Sequence, residues 1–238
     1  YRQWCRRTRG HNTICVNGKD QAQPYRATFG AWHDGSHVAF VAAATDGYRE
    51  SEGITHERSI VFVKKEYFLI FDRLLGGQPD AQVSWLMHSP SELQKHEDGS
   101  ISSASGTPGL LIVPDSATRA GMRATLSTSY AAVPVSYHAD YTPLDAWRDD
   151  ITFVELTRTV REVNAGQTFG VLVMPFAESA PKVEVTRQPS STAHTYVFHI
   201  GQADHLDELT VDYSTPAPTF RMTRYDPRKT ALWSEQSR

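Results

Sequence analysis

Hydrophobic positions recur at every second residue along most of this chain, the spacing of strands with one buried face. The stretch "SIVFVKKEYFLIFDRLLGG" predicts two strands, Ser59–Val63 and Tyr67–Leu74, around the charged turn Lys64-Lys65-Glu66. It is rich in β-branched and aromatic residues, as strands prefer. "HVAFVAAAT", "AQVSWLMHS", "GLLIVP", "ITFVELTRTVREV", "TFGVLVMPF", "KVEVTRQ", "TYVFHIG" and "ELTVDY" continue the pattern. Turn residues separate the runs at Asp46-Gly47, Gly76-Gly77, Asp98-Gly99 and Asn164-Ala165-Gly166. Short strands at this spacing predict an all-β fold, an antiparallel β-sandwich of stacked sheets with little helix. "PLDAWRDD" has room for one helical turn. Residues 1–238 are expected to form a single β-sandwich domain. The Ser- and Gly-rich segment 95–108 reads either as a long hairpin loop or as a boundary between two sheet layers. The tail after Pro216 is polar and is expected to wrap the surface.

Composition narrows the function. The chain has 238 residues, enough for a sizeable core, with 39% hydrophobic and 21% charged residues. A net charge of -3 gives no support for nucleic-acid binding. No apolar run reaches the ~18 residues of a membrane span. The opening "RQWCRRTR" is locally basic, a solvated loop or a contact for a polyanion. Cys5 and Cys15 are expected to be free thiols, since two cysteines make no disulfide framework.

The stretch "YRQWCRRTRGHNTICVNGKDQAQ" carries a resemblance. It is similar to the heparinase II/III family of polysaccharide lyases, whose C-terminal β-domain runs Tyr-Arg-x-aromatic-x-Arg-x-Thr-x-x-His-Asn-Thr, then a hydrophobic strand, Asp-Gly and Gln. Tyr1, Arg2, Trp4, Arg6, Thr8, His11, Asn12, Thr13, Gly18 and Gln21 fall in register. Asn17 stands where Asp is usual. A second match, "GITHERSIVFVKKEYFLIFDRLLG", supplies His56, Arg58, Phe68, Asp72, Arg73 and Gly76.

The resemblance implies β-elimination beside a uronic acid, in heparan sulfate, alginate or a similar acidic polysaccharide. It implies an N-terminal α/α toroid as partner domain, which supplies the catalytic Tyr. The His-x-His-Ala-Asp and Leu-x-Asp-x-Gly segments that precede this point in the family do not occur here, so no catalytic residue is expected in this chain. The chain is expected to begin partway into the β-domain of a longer protein, periplasmic or secreted as the family implies.

In members that carry zinc, the His of His-Asn-Thr joins an upstream His and Asp on the ion, an ordinary ligand set for that metal. That makes His11 the candidate zinc ligand; the alternative is a strand cap. Arg6, Asn12, His56, Arg58 and His88 are the candidate substrate-binding residues. His56 and Arg58 lie two apart and share a strand face; the alternative is a cross-strand pair packed under a loop. For His88 the alternative is an exposed strand end. Asp72 and Arg73 are expected to make structural bonds at a sheet edge. "AWHDGSH" offers His33, Asp34 and His37 as a weak metal set or a solvated loop. Trp4, Trp32, Trp85 and Trp147 are core residues or sugar-stacking platforms. A non-catalytic carbohydrate-binding β-sandwich and a purely structural domain stand as rival functions.

Overall fold

The computed structural model describes residues 6–22, 26–104, 108–130, 150–161 and 166–237. A 3₁₀ turn at Thr8–Gly10 leads into β1 (Ile14–Val16), followed by β2 (Ala27–Asp34), β3 (Val38–Tyr48), β4 (Ile54–Val63) and β5 (Tyr67–Gly76). Next come β6 (Gln82–Ser89), β7 (Leu93–Lys95), β8 (Ile101–Ser103), β9 (Gly109–Pro114), β10 (Arg123–Tyr130) and β11 (Asp150–Thr159). The last six are β12 (Gln167–Phe176), β13 (Glu184–Gln188), β14 (Thr195–Gly201), β15 (Leu206–Asp212), β16 (Thr219–Tyr225) and β17 (Ala231–Gln236). Helix is confined to α1 (Arg49–Glu52) and α2 (Ser116–Arg119) among the described residues. The expected all-β architecture is what the chain adopts.

The strands form three antiparallel sheets. A four-stranded sheet runs β1-β6-β11-β10, an eight-stranded sheet β2-β3-β4-β5-β12-β9-β8-β7, and a five-stranded sheet β13-β14-β15-β16-β17. The large sheet is the middle layer. Val61, Leu69, Phe71 and Leu172 on one face pack against Phe198, Ile200, Leu209 and Met222 of the five-stranded sheet. Ile54, Ile70, Leu74, Phe169 and Val171 on the other face pack against Val83, Trp85, Val154 and Leu156 of the four-stranded sheet. Burying each such side chain contributes ~1.5–3 kcal/mol.

This layering explains the two kinds of strand in the sequence. β5, covered on both faces, is a nearly unbroken apolar run; β15, covered on one, alternates cleanly. Lys64-Lys65-Glu66 is the β4–β5 turn, with Lys65 at φ 69°.

Three expectations change. The tail after Pro216 supplies β16 and β17, which complete the five-stranded sheet. Its strands expose every other side chain and are too polar to stand out by hydropathy. β7, β8 and β9 lie side by side in the large sheet, so the described part of segment 95–108 is a hairpin at its edge and no passage between layers. Asp72 lies on β5 in the interior of the large sheet, fully buried, where a sheet edge was expected. "PLDAWRDD" before Asp150, with Trp147, lies outside the described residues, as do Trp4 and Cys5. Cys15 is a buried free thiol, and burial pushes its pKa up.

Candidate functional site

The His-Asn-Thr segment follows the 3₁₀ turn and enters β1 by way of Thr13, whose carbonyl accepts from the Leu86 N–H at 2.9 Å. Polar side chains from three strands hold it. On β11, Glu155 accepts from Nη1 and Nη2 of Arg9, at 3.1 and 2.8 Å. On β6, the backbone N–H of His88 donates to Asn12 Oδ1 at 2.8 Å, with His88 Nδ1 3.0 Å from the same oxygen. On β4, Arg58 Nη1 donates to the Asn12 carbonyl at 2.7 Å. β6 and β11 belong to the four-stranded sheet and β4 to the large one. The loop therefore ties two layers together.

The His88 tautomer follows from this geometry. A backbone N–H can only donate, so the Asn12 atom facing it is oxygen. The ring nitrogen on that same oxygen must then carry the proton. His88 stacks on Phe153 at 5.2 Å. Burial lowers its pKa first, and the His11 charge adds to that; hydrogen bonding with the Arg9 backbone opposes both.

Behind the loop sits an ion-pair network. Arg58 and Asp72 face each other in register across β4 and β5. Asp72 Oδ1 accepts from Arg58 Nε at 2.7 Å and from His56 Nε2 at 2.5 Å, and Oδ2 accepts from Arg58 Nη2 at 3.0 Å. His56 is 5% exposed and closed to solvent.

The predicted residues thus separate. Asn12, Arg58 and His88 meet at the loop, and His56 joins them only through Asp72. His11 is exposed, and its imidazole makes no hydrogen bond to a described residue. Arg6 is exposed too, without a bond to a described residue. Of the other described arginines in the basic run, Arg7 pairs with Asp20 at 3.3 Å and Arg9 with Glu155. Sequence reasoning passed over Arg9, Glu155 and the hub role of Asp72. The only signal for Arg9 was its place inside the first motif; Glu155 comes from a strand far along the chain.

Asn17 gives a reason for its departure from the usual Asp. With Gly18 it forms a tight turn, φ 50° and 67°, closed by Lys19 N–H donating to the Val16 carbonyl. Its Nδ2 donates to Glu52 Oε2 at 2.7 Å, and Lys19 Nζ takes the other oxygen. Glu52 is 7% exposed. An Asp at position 17 has no donor for that carboxylate.

Elsewhere, His33 pairs with Glu235, Asp34 with Lys64, and His37 stacks on Trp233, so "AWHDGSH" is a β-hairpin whose three candidate ligands are engaged. Trp85 is core, whereas Trp32 is 65% exposed beside Phe29 at 64%. The register slips at Gly30, which sets Phe29 opposite Ala43 and Trp32 opposite Val41, on one face of the large sheet.

Residues 1–143 match the profile of the heparinase II/III-like C-terminal family, more than half of the chain. The chain belongs to that family. Within the heparinase II/III-like proteins, a heparin-sulfate lyase of Pedobacter heparinus is 29% identical over 91 residues, 38% of this chain and 13% of that protein. One of Bacteroides stercoris is 32% identical over 77 residues, 32% of this chain and 11% of that protein. The crystal structure of a heparan sulfate lyase from Pedobacter heparinus superposes with a TM-score of 0.67 over 84% of this chain, at 17% identity. A crystal structure of heparinase III gives 0.69 over 88%, at 13% identity. At such identity these superpositions speak to the fold alone. The heparinase II/III-like chain described here covers 30% of each solved relative's length.

Proposed function

We propose that this chain is the β-sandwich part of a polysaccharide lyase that cleaves a uronate-containing, heparan sulfate-like glycan by β-elimination. The observation that carries the reading is the His-Asn-Thr loop, clamped between two sheets with the His11 imidazole left exposed. A loop held from three strands is rigid enough to present one side chain to a neighbouring domain.

In β-elimination the proton on C5 leaves to a base, the C4–O4 bond breaks, and a C4–C5 double bond forms. The departing O4 takes a proton from an acid. The uronate carboxylate must be neutralised so that charge can build beside C5, which suits donors at hydrogen-bonding distance. On this reading the proton-transfer groups lie outside this chain, a Tyr on an α/α toroid partner and a His upstream in the β-domain, and this chain forms the facing wall, with Arg6 and the His11–Asn12 loop toward the polymer. Periplasmic or secreted location goes with a polymeric substrate.

Zinc is part of the proposal in one respect. Among the described residues no three His, Cys, Asp or Glu side chains group as a metal site. An exposed imidazole fits a single ligand, so His11 would hold the ion jointly with donors from outside these residues. Zinc there would brace the loop that carries the upstream catalytic His.

The test compares this chain with a longer lyase that contains it, on heparan sulfate, following the ultraviolet absorbance of the unsaturated uronate. Product from the longer protein and none from this chain is the expected result. Turnover by this chain alone would put the catalytic groups inside it and overturn the assignment. Binding of the glycan by the longer protein without any unsaturated product would favour a carbohydrate-binding sandwich.

A further inference from the structure

We propose that Asp72 is a positioning residue for the His-Asn-Thr loop, acting through Arg58. Its consequence for turnover rests on the lyase reading above; its effect on the loop does not.

Asp72 is 0% exposed on an interior strand of the large sheet, and Ile70 and Leu74 flank it on the same face. A charge placed there is weak as a source of stability, because desolvation offsets most of the attraction. What such a pair can supply is direction. The Asp72 oxygens take Nε and Nη2 of Arg58, which fixes the plane and roll of the guanidinium. One nitrogen, Nη1, then remains on the outer side of the fork, and it meets the Asn12 carbonyl at 2.7 Å. His56 donates to Asp72 Oδ1 from two residues before Arg58 and holds the carboxylate in turn. The chain of contact is Asp72, Arg58, the Asn12 main chain, and then His11 as the next residue.

The acceptor on the loop is a backbone oxygen, so no side chain of the loop decides this contact. Asn12 uses its own side chain on His88 of the other sheet. The two anchors are separable. The Arg58 anchor sets the loop against the large sheet, and the His88 anchor sets it against the small one. Lysine cannot replace Arg58 here. A single ammonium pairs with Asp72 but has no second arm held at a fixed angle to reach Asn12.

The experiment uses Arg58→Lys and Asp72→Asn in this chain, read by hydrogen–deuterium exchange. Arg58→Lys keeps a cation beside Asp72 and removes the outward donor. The amides of His11 and Thr13, which bond within the loop to Thr8 and His11, are expected to exchange at least about tenfold faster in both variants. Amides of Leu69 and Val83 in the two cores should keep their protection in Arg58→Lys. If Asp72→Asn does not fold, the lysine variant carries the test by itself. Unchanged exchange at His11 and Thr13 in Arg58→Lys overturns the proposal, as does an equal rise in loop and core. The same substitution in a longer lyase is expected to lower kcat at least about tenfold with a smaller change in KM, since Arg58 itself touches Asp72 and the Asn12 main chain and not the polymer. Faster loop exchange with unaltered kcat would leave Asp72 positioning the loop and would sink the reading that the loop serves catalysis.

Discussion

Asn12 Oδ1 is shared by two donors from one residue, the backbone N–H and the Nδ1 of His88. Replacing Asn12 with Ala strands both. Each net bond contributes ~0.5–1.5 kcal/mol, so Asn12→Ala should destabilise the chain by ~1–3 kcal/mol. Asn12→Asp keeps the acceptor and should recover most of the loss. Urea titration of the three proteins measures this. Equal stability of the Ala variant and the parent would show that water replaces Asn12 without cost.

Asp72 should set an acid transition. Burial pushes its carboxyl up, but the Arg58 charge and the His56 hydrogen bond outweigh burial, and the net pKa is lowered from 3.8. A depressed carboxylate adds stability that is complete above its unfolded pKa and disappears as pH falls through the folded one. Stability should therefore drop as pH falls below ~4. Asp72→Asn should cost ~3–5 kcal/mol at neutral pH, because Arg58 and His56 lose their partner. It should also flatten the acid slope. Denaturant midpoints from neutral pH to below pH ~3 would show both; an acid slope identical in the variant would contradict the assignment.

His11→Ala should leave this chain's thermal midpoint within the range of surface changes, ~0.5 kcal/mol or less. The only hydrogen bonds of His11 to described residues are made by its main chain, to Thr8 and Thr13. In a longer lyase the same substitution should reduce bound zinc by at least the ~10–100-fold of changes one shell further out. Metal content by atomic emission, beside calorimetry of the short chain, separates the roles. A large stability loss in the short chain would mark His11 as a local cap.

Asn17→Asp restores the residue usual in the family, yet here it should destabilise. The substitution removes the donor to Glu52 and sets a second carboxylate against a buried one, at ~1–3 kcal/mol. Glu52→Gln in the Asn17→Asp background should recover stability, because a glutamine amide can donate. Chemical denaturation of the single and double variants checks the sign. Stabilisation by Asn17→Asp alone would contradict the donor role of Asn17 toward Glu52.

Much was legible along the chain because it is written in local rules. The period-two runs fixed the existence of β3, β4, β5, β6, β9, β11, β12, β13, β14 and β15, and the Lys64–Glu66 turn, since a strand with a buried face must alternate. The two motifs located the loop residues His11 and Asn12 and the strand residues His56, Arg58 and Asp72. What the residues touch was decided only in three dimensions. Arg58 reads from its spacing as a cleft cation or as a cross-strand pair under a loop, and only the fold makes it a strut between Asp72 and Asn12. The basic run reads as a solvated loop or a contact for a polyanion, and the fold spends Arg9 on Glu155, 146 residues away. Strand pairing brings such distant positions together through backbone hydrogen bonds that carry no residue identity, so no local pattern could announce them.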